Sequence, residues 1–289
     1  MAEPDLREAW VDLLQRRPTL APSLTGYGDI IESWARWSPP RPLGLTLRRE
    51  ACCDSWERGI PLTADAAGAL QIGDVEELVG GAMEALVRAQ PSLAPGFQRF
   101  AEAWDAGWLG PQTLLPDVGR VGSDALEKAT GLSSEVVAIV ATVGMRPALE
   151  ALFAPVREHL TEGRWDLGIC PFCGGPPGFS DVIEDGRRRL ACHLCGGAWV
   201  FTELRCPFCG IEGPQHVVRI LPDDAREEGY AISACRSCGA YIKEVDRRAR
   251  CNAGPALVED WGTPHFDLIA LGQGYWRPVP ALLQWAPSP

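Results

Sequence analysis

The chain has 289 residues, 46% of them hydrophobic and 22% charged, which excludes disordered, collagen-like and coiled-coil classes and allows more than one domain. Lys and Arg total 27 against 38 Asp and Glu, a formal charge of -11 that repels phosphate backbones and anionic lipid. Neither nucleic acid nor a membrane surface is therefore an expected partner.

Residues 1 to 165 read as a helical domain. Segments 3–17, 24–37 and 45–58 have helical character. The clearest element is 74–90, where Val75, Leu78, Val79, Ala82, Met83 and Leu86 recur on one face, Asp74 and Glu77 form a capping-box-like start and Pro91 is the stop. Leu93, Phe97, Phe100, Trp104 and Trp108 repeat that pattern, and 121–130 is a further helical stretch. A long apolar helix follows, from Ser133 to about Leu160, with bends expected at Pro147 and Pro155. Its longest apolar run, Val136 to Met145, covers only about half a bilayer span and reads as core. Met1-Ala2-Glu3-Pro4-Asp5-Leu6-Arg7-Glu8 lacks the basic and apolar parts of an export signal, so a cytoplasmic location is expected.

From Gly163 the composition becomes β-rich, with four Cys-x-x-Cys pairs and short β-type runs at 198–202, 217–221 and 240–245. The pairs are Cys170/Cys173, Cys192/Cys195, Cys206/Cys209 and Cys235/Cys238, each followed by Gly. Two thiolates at this spacing grip one face of a tetrahedral ion, turn amides donate to sulfur, and Gly lets the chain turn away. Cys-Pro-Phe-Cys-Gly occurs twice, and a second pair follows each copy after 18 and 25 intervening residues. This duplication assigns Cys170, Cys173, Cys192 and Cys195 to one site and Cys206, Cys209, Cys235 and Cys238 to another. In a reducing compartment such pairs favour metal over disulfides. All-sulfur sites have no open position for substrate and suit iron or zinc equally. With two divalent ions bound to eight thiolates the formal charge becomes -15.

The other reactive residue types form no catalytic set. Cys52, Cys53 and Cys251 are expected to be buried or incidental thiols, and His159, His216 and His265 are isolated. His193 is expected as an exposed knuckle-tip side chain, and Arg187-Arg188-Arg189 as a solvated hairpin tip. Most of the 11 Trp are expected in the core. Residues 247–255 read as linker. A short helix follows, with Thr263 as N-cap and Pro264 at its first position, and then an extended tail from Gly274.

Several motifs together give a family resemblance: Trp165-Asp166-Leu167-Gly168-Ile169-Cys170-Pro171-Phe172-Cys173-Gly174, the three later knuckles, Cys238-Gly239-Ala240-Tyr241-Ile242-Lys243, and Glu259-Asp260 with Asp267 and Gly274-Tyr275-Trp276-Arg277. Over 165–278 the chain resembles the formate dehydrogenase accessory protein family, FdhE; the helical half carries none of these motifs. The resemblance implies an α+β multidomain protein: a helical domain (1–165), two tandem rubredoxin-like or zinc-ribbon modules (166–203 and 204–246), and a linker, short helix and tail (247–289). It further implies a cytoplasmic, non-enzymatic factor that binds the formate dehydrogenase catalytic subunit before export, with iron on the eight knuckle cysteines. A homodimer is compatible with this reading. The competing classes are a rubredoxin-like electron carrier and a zinc-ribbon nucleic-acid module.

Overall fold

The structure is a computed structural model that describes residues 5–117 and 124–280. Among the described residues eight α-helices precede the sheet: α1 (Leu6–Arg16), α2 (Thr25–Arg36), α3 (Arg49–Glu57), α4 (Thr63–Ala69), α5 (Glu76–Ala89), α6 (Ala94–Asp105), α7 (Asp124–Thr130) and α8 (Ser134–Phe153). Six strands follow: β1 (Pro177–Val182), β2 (Arg188–Cys192), β3 (Ala198–Val200), β4 (Val217–Ile220), β5 (Tyr230–Cys235) and β6 (Tyr241–Asp246). Helices α9 (Ala256–Trp261) and α10 (Pro264–Gly272) close the described chain. Residues 3–4 of the expected 3–17 helix, 121–123 of the expected 121–130 helix, and 281–289 of the expected tail lie outside the described residues.

Helix α8 starts where the Ser133 hydroxyl accepts from the Val136 amide, and it is apolar on all sides because all sides are covered. With the 3-10 turn Ala154–His159 it forms an apolar helical stretch long enough to span a membrane, and 78% of its most apolar window is buried inside the protein. A β-carbon on Gly144 would lie 2.9 Å from Val79 Cα, so glycine is what lets α8 and α5 cross closely. The Trp34 indole of α2 donates to the Val143 carbonyl at 2.8 Å. Around α8 the core takes in Leu149, Leu152, Phe153, Trp56 and Phe100, and it continues without a break into Cys170, Phe172, Leu194 and Trp199 of the β-rich half.

Both copies of the duplication lie in one six-stranded sheet of order β3-β2-β1-β6-β5-β4. Within each copy the strands are antiparallel, and the copies join through a parallel β1–β6 pair with Phe179 opposite Lys243. Each copy runs in the same order across the sheet, so the second repeats the first by translation. Phe179, Tyr230, Ile232, Tyr241 and Val245 form a cluster with Phe266 and Ala270 of α10. Helix α9 returns to the N-terminal helices, where Leu257, Val258 and Trp261 pack with Trp10, Leu13, Tyr27 and Trp34. The N- and C-terminal helices thus clasp each other.

Four expectations need correction. Asp74 does not cap α5; its carboxylate accepts from Arg41 and from the Gln71 amide in a 3-10 turn that precedes the helix. Trp108 is 84% exposed, because α6 ends at Asp105 before the apolar stripe reaches it. Of the Arg187–Arg189 run only Arg187 sits at the turn, paired with Asp185 and Glu162. Arg188 is 1% exposed and faces Glu244, and Arg189 pairs with Asp181. Residues 247–255 are irregular yet anchored: the Arg247 guanidinium donates to the Ala253 and Gly254 carbonyls and reaches Asp181.

Candidate metal centres

All four knuckles have one backbone design. The first cysteine's amide donates to the carbonyl five residues on, in the pairs Cys170–Gly175, Cys192–Gly197, Cys206–Ile211 and Cys235–Ala240, at 2.8 to 2.9 Å. The glycine amide donates back to that cysteine's carbonyl from Gly174, Gly196, Gly210 and Gly239. These four glycines have φ between 67° and 76°, a left-handed conformation that an L side chain resists. The shared Gly is thus a backbone requirement of the turn. Free amides inside the turn face sulfur: those of Phe208 and Cys209 donate to Cys206, and those of Ser237 and Cys238 to Cys235.

The turns bring the eight cysteines into two groups of four, Cys170/Cys173/Cys192/Cys195 and Cys206/Cys209/Cys235/Cys238, with the Sγ atoms of each group within 4.8 Å of one another. Across the knuckles the Sγ separations are 3.6 Å for Cys170–Cys195, 3.4 Å for Cys173–Cys192, 3.8 Å for Cys206–Cys238 and 3.7 Å for Cys209–Cys235. A disulfide would require about 2.0 Å. A tetrahedron of sulfurs each about 2.3 Å from a central ion has edges of about 3.8 Å, so each cluster is close to the size of a tetrathiolate cage. Each could hold a metal ion.

The electrostatics of both groups suit a cation. Burial pushes the Cys170 and Cys173 thiols well above the usual range, also raises Cys206, and lifts Cys238 to about 11. One thiol per cluster is held low against the opposing effect of burial: Cys192 by hydrogen bonds from the other three sulfurs, Cys235 by amides and by its neighbours. Four thiolates this close would repel one another strongly, and a central ion would offset that repulsion by coordination.

His193 is not an exposed tip. It is 6% exposed, packed against Gly178, and burial drives its pKa down to about 3, which keeps it neutral. Among the other histidines, His216 Nδ1 lies 3.1 Å from the Ser237 hydroxyl beside the last knuckle, and His265 approaches Glu227. Cys52 is buried in α3, Cys53 is half-buried, and Cys251 is exposed.

Most of the residues that hold the knuckles in place carry no mark in the local sequence, although Trp276 lies in the Gly274-Tyr275-Trp276-Arg277 motif. The Trp56 indole donates to the Pro171 carbonyl at 2.9 Å, Arg146 Nη1 to the His193 carbonyl at 2.9 Å, and Arg157 Nη2 to the Cys195 carbonyl at 2.7 Å. At the other cluster the Trp276 indole donates to the Cys238 carbonyl at 2.8 Å. No local signal marks Trp56, Arg146 or Arg157, since each acts across at least 38 residues of sequence. Beneath β6 the Lys243 ammonium is buried between Asp260 and Asp267, and Arg277 closes that group through the same two carboxylates.

A helical region joined to a duplicated, zinc-ribbon-like pair of four-cysteine modules defines the architecture. No protein-family model matches the chain. A curated relative named Protein FdhE homolog from Stutzerimonas stutzeri is 32% identical over 226 residues, covering 69% of this chain and 72% of the relative. One of the same name from Aquifex aeolicus is 28% identical over 150 residues and is matched over 51% of its length. The crystal structure of the FdhE protein from Pseudomonas aeruginosa superposes with a TM-score of 0.59 at 20% identity, covering 99% of this chain and 98% of that one. The chain belongs to the FdhE family.

Proposed function

We infer that this chain is a non-catalytic maturation factor for formate dehydrogenase, which binds the catalytic subunit in the cytoplasm during assembly. Cys170, Cys173, Cys192 and Cys195 hold one ion, and Cys206, Cys209, Cys235 and Cys238 a second, each iron or zinc. Residues 1–165 are the helical domain, 166–203 and 204–246 the two metal modules, and 247–289 the closing segment.

One observation carries this reading: both sulfur groups already match the size of a saturated tetrathiolate cage. Four sulfurs on one ion leave no position for substrate, which favours a structural or recognition role over catalysis at the metal. Family membership supports the accessory role.

Anaerobic capture with the tagged chain from its own host, grown with formate, tests the reading. Recovery of a formate dehydrogenase catalytic subunit is expected. Recovery of an electron-transfer enzyme or nucleic acid in its place, or formate turnover by the isolated chain, would overturn it.

A further inference from the structure

The two sulfur clusters share a backbone design and differ in what covers them. In the first, all four cysteines are buried, within the same core as α8. Phe172, at the tip of its first knuckle, lies between Trp56 and Phe153, with ring centroids 5.9 Å away in each case. Four hydrogen bonds from the helical half end on knuckle carbonyls: Trp56 and the Leu62 amide on Pro171, Arg146 on His193, and Arg157 on Cys195. Even the turn glycines are covered, since a β-carbon at Gly174 would meet Thr63 and one at Gly196 would meet Glu150 and Arg146.

The second cluster has little of this. Cys209 is exposed and Cys238 half-buried. Its apolar surroundings are a small cluster built on Cys206, Val217 and Cys235, which meets the main core through the partly buried Phe208. A β-carbon at Gly210 would meet nothing within 4 Å, and one at Gly239 would meet only Trp276, itself 51% exposed.

We propose that the centres divide two roles: the first ion is a fixed part of the fold that locks the helical half to the sheet, and the second is exchangeable through Cys209. This rests on the ligand assignment above. For an ion to leave, a thiolate must detach, an incoming ligand must take its place on the ion, and the freed sulfur takes a proton from solvent. The ion departs as a divalent cation with its oxidation state unchanged. At Cys209 the incoming ligand arrives from solvent directly. At the first centre no sulfur can be replaced until the contacts of Trp56, Leu62, Arg146 and Arg157 open, so exchange there waits on a local unfolding step. Trp56, Arg146 and Arg157 are positioning residues for that centre.

The test uses the full chain loaded with zinc and challenged with excess 4-(2-pyridylazo)resorcinol. Two equivalents of zinc are expected, released in two phases that differ in rate by about tenfold or more. Iodoacetamide followed by mass spectrometry is expected to label Cys209 and Cys238 during the fast phase, before Cys170, Cys173, Cys192 or Cys195. Arg157→Met should speed the slow phase and leave the fast one unchanged. Release of both equivalents in one phase, or first labelling of the Cys170 group, overturns the division and leaves the ligand assignment standing. A chain that binds no zinc removes the assignment and the division with it.

Discussion

The Trp56 indole Nε1 donates to the carbonyl oxygen of Pro171 at 2.9 Å, while its ring meets Phe172 edge-on. One side chain of α3 thereby holds the tip of a sulfur-bearing turn 115 residues further along. Trp56→Phe keeps most of the packing but leaves a buried carbonyl with one donor fewer, at an expected cost of about 1 to 2 kcal/mol. Trp56→Ala also opens a cavity, and the expected cost is about 3 to 5 kcal/mol. Chemical denaturation of both variants measures the difference.

Gly144→Ala sets two effects against each other. Alanine favours a helix over glycine by about 1 kcal/mol. The added carbon, however, would lie 2.9 Å from the backbone Cα of Val79, which cannot rotate away. Overpacking wins, and a net loss of about 1 to 2 kcal/mol is expected, visible as a lower thermal midpoint.

Arg188 and Glu244 are buried across the joint between the two copies, their side chains 0% and 5% exposed. Glu244 also accepts from the Ser180 hydroxyl and pairs with Arg219. Glu244→Ala removes the charge facing a buried guanidinium and is expected to cost about 3 kcal/mol or more. Replacing both partners, as Arg188→Met with Glu244→Leu, should recover much of that loss. A double-mutant cycle in denaturant checks this.

Glu227 links the sheet side to the N-terminal helices through Arg17, at 2.5 and 2.6 Å. Burial alone would raise its pKa, but contacts with His265 and Arg17 override this and bring it down to about 2 from 4.5. A depressed carboxyl stabilises the fold above its unfolded pKa and loses that contribution as pH falls from 4.5 towards 2. Allowing for solvent screening, Glu227→Gln should remove roughly 1 to 2 kcal/mol at neutral pH and flatten stability through that window. Urea midpoints recorded from pH 6 to about pH 3 would show it.

The knuckles were legible in the sequence because their chemistry is local. Spacing sets the turn, Gly supplies its left-handed residue, and a verbatim repeat marks the duplication. Helices α5 and α8 were legible from local pattern as well, α5 from one recurring apolar face and α8 from an apolar run too long for a strand. The β1–β6 pair was not, since it joins Phe179 to Lys243 across the duplication and β1 opens with Pro177-Gly178, which reads as turn. Arg188 read as solvent-facing because its partner Glu244 lies on a strand that only the sheet order brings near. His193 read as a tip because nothing in the knuckle itself indicates that Gly178 packs on its side chain and that Arg146 of α8 holds its carbonyl. What the sequence concealed in each case was a long-range partner.

Metal content and ligand geometry test the central claim most directly. Protein purified anaerobically from its own host should carry two ions per chain by elemental analysis. X-ray absorption at the metal edge should give four sulfur neighbours at about 2.3 Å and no nitrogen or oxygen. Fewer than two ions with the cysteines paired as disulfides, or an ion with mixed nitrogen and oxygen ligands, would contradict the account.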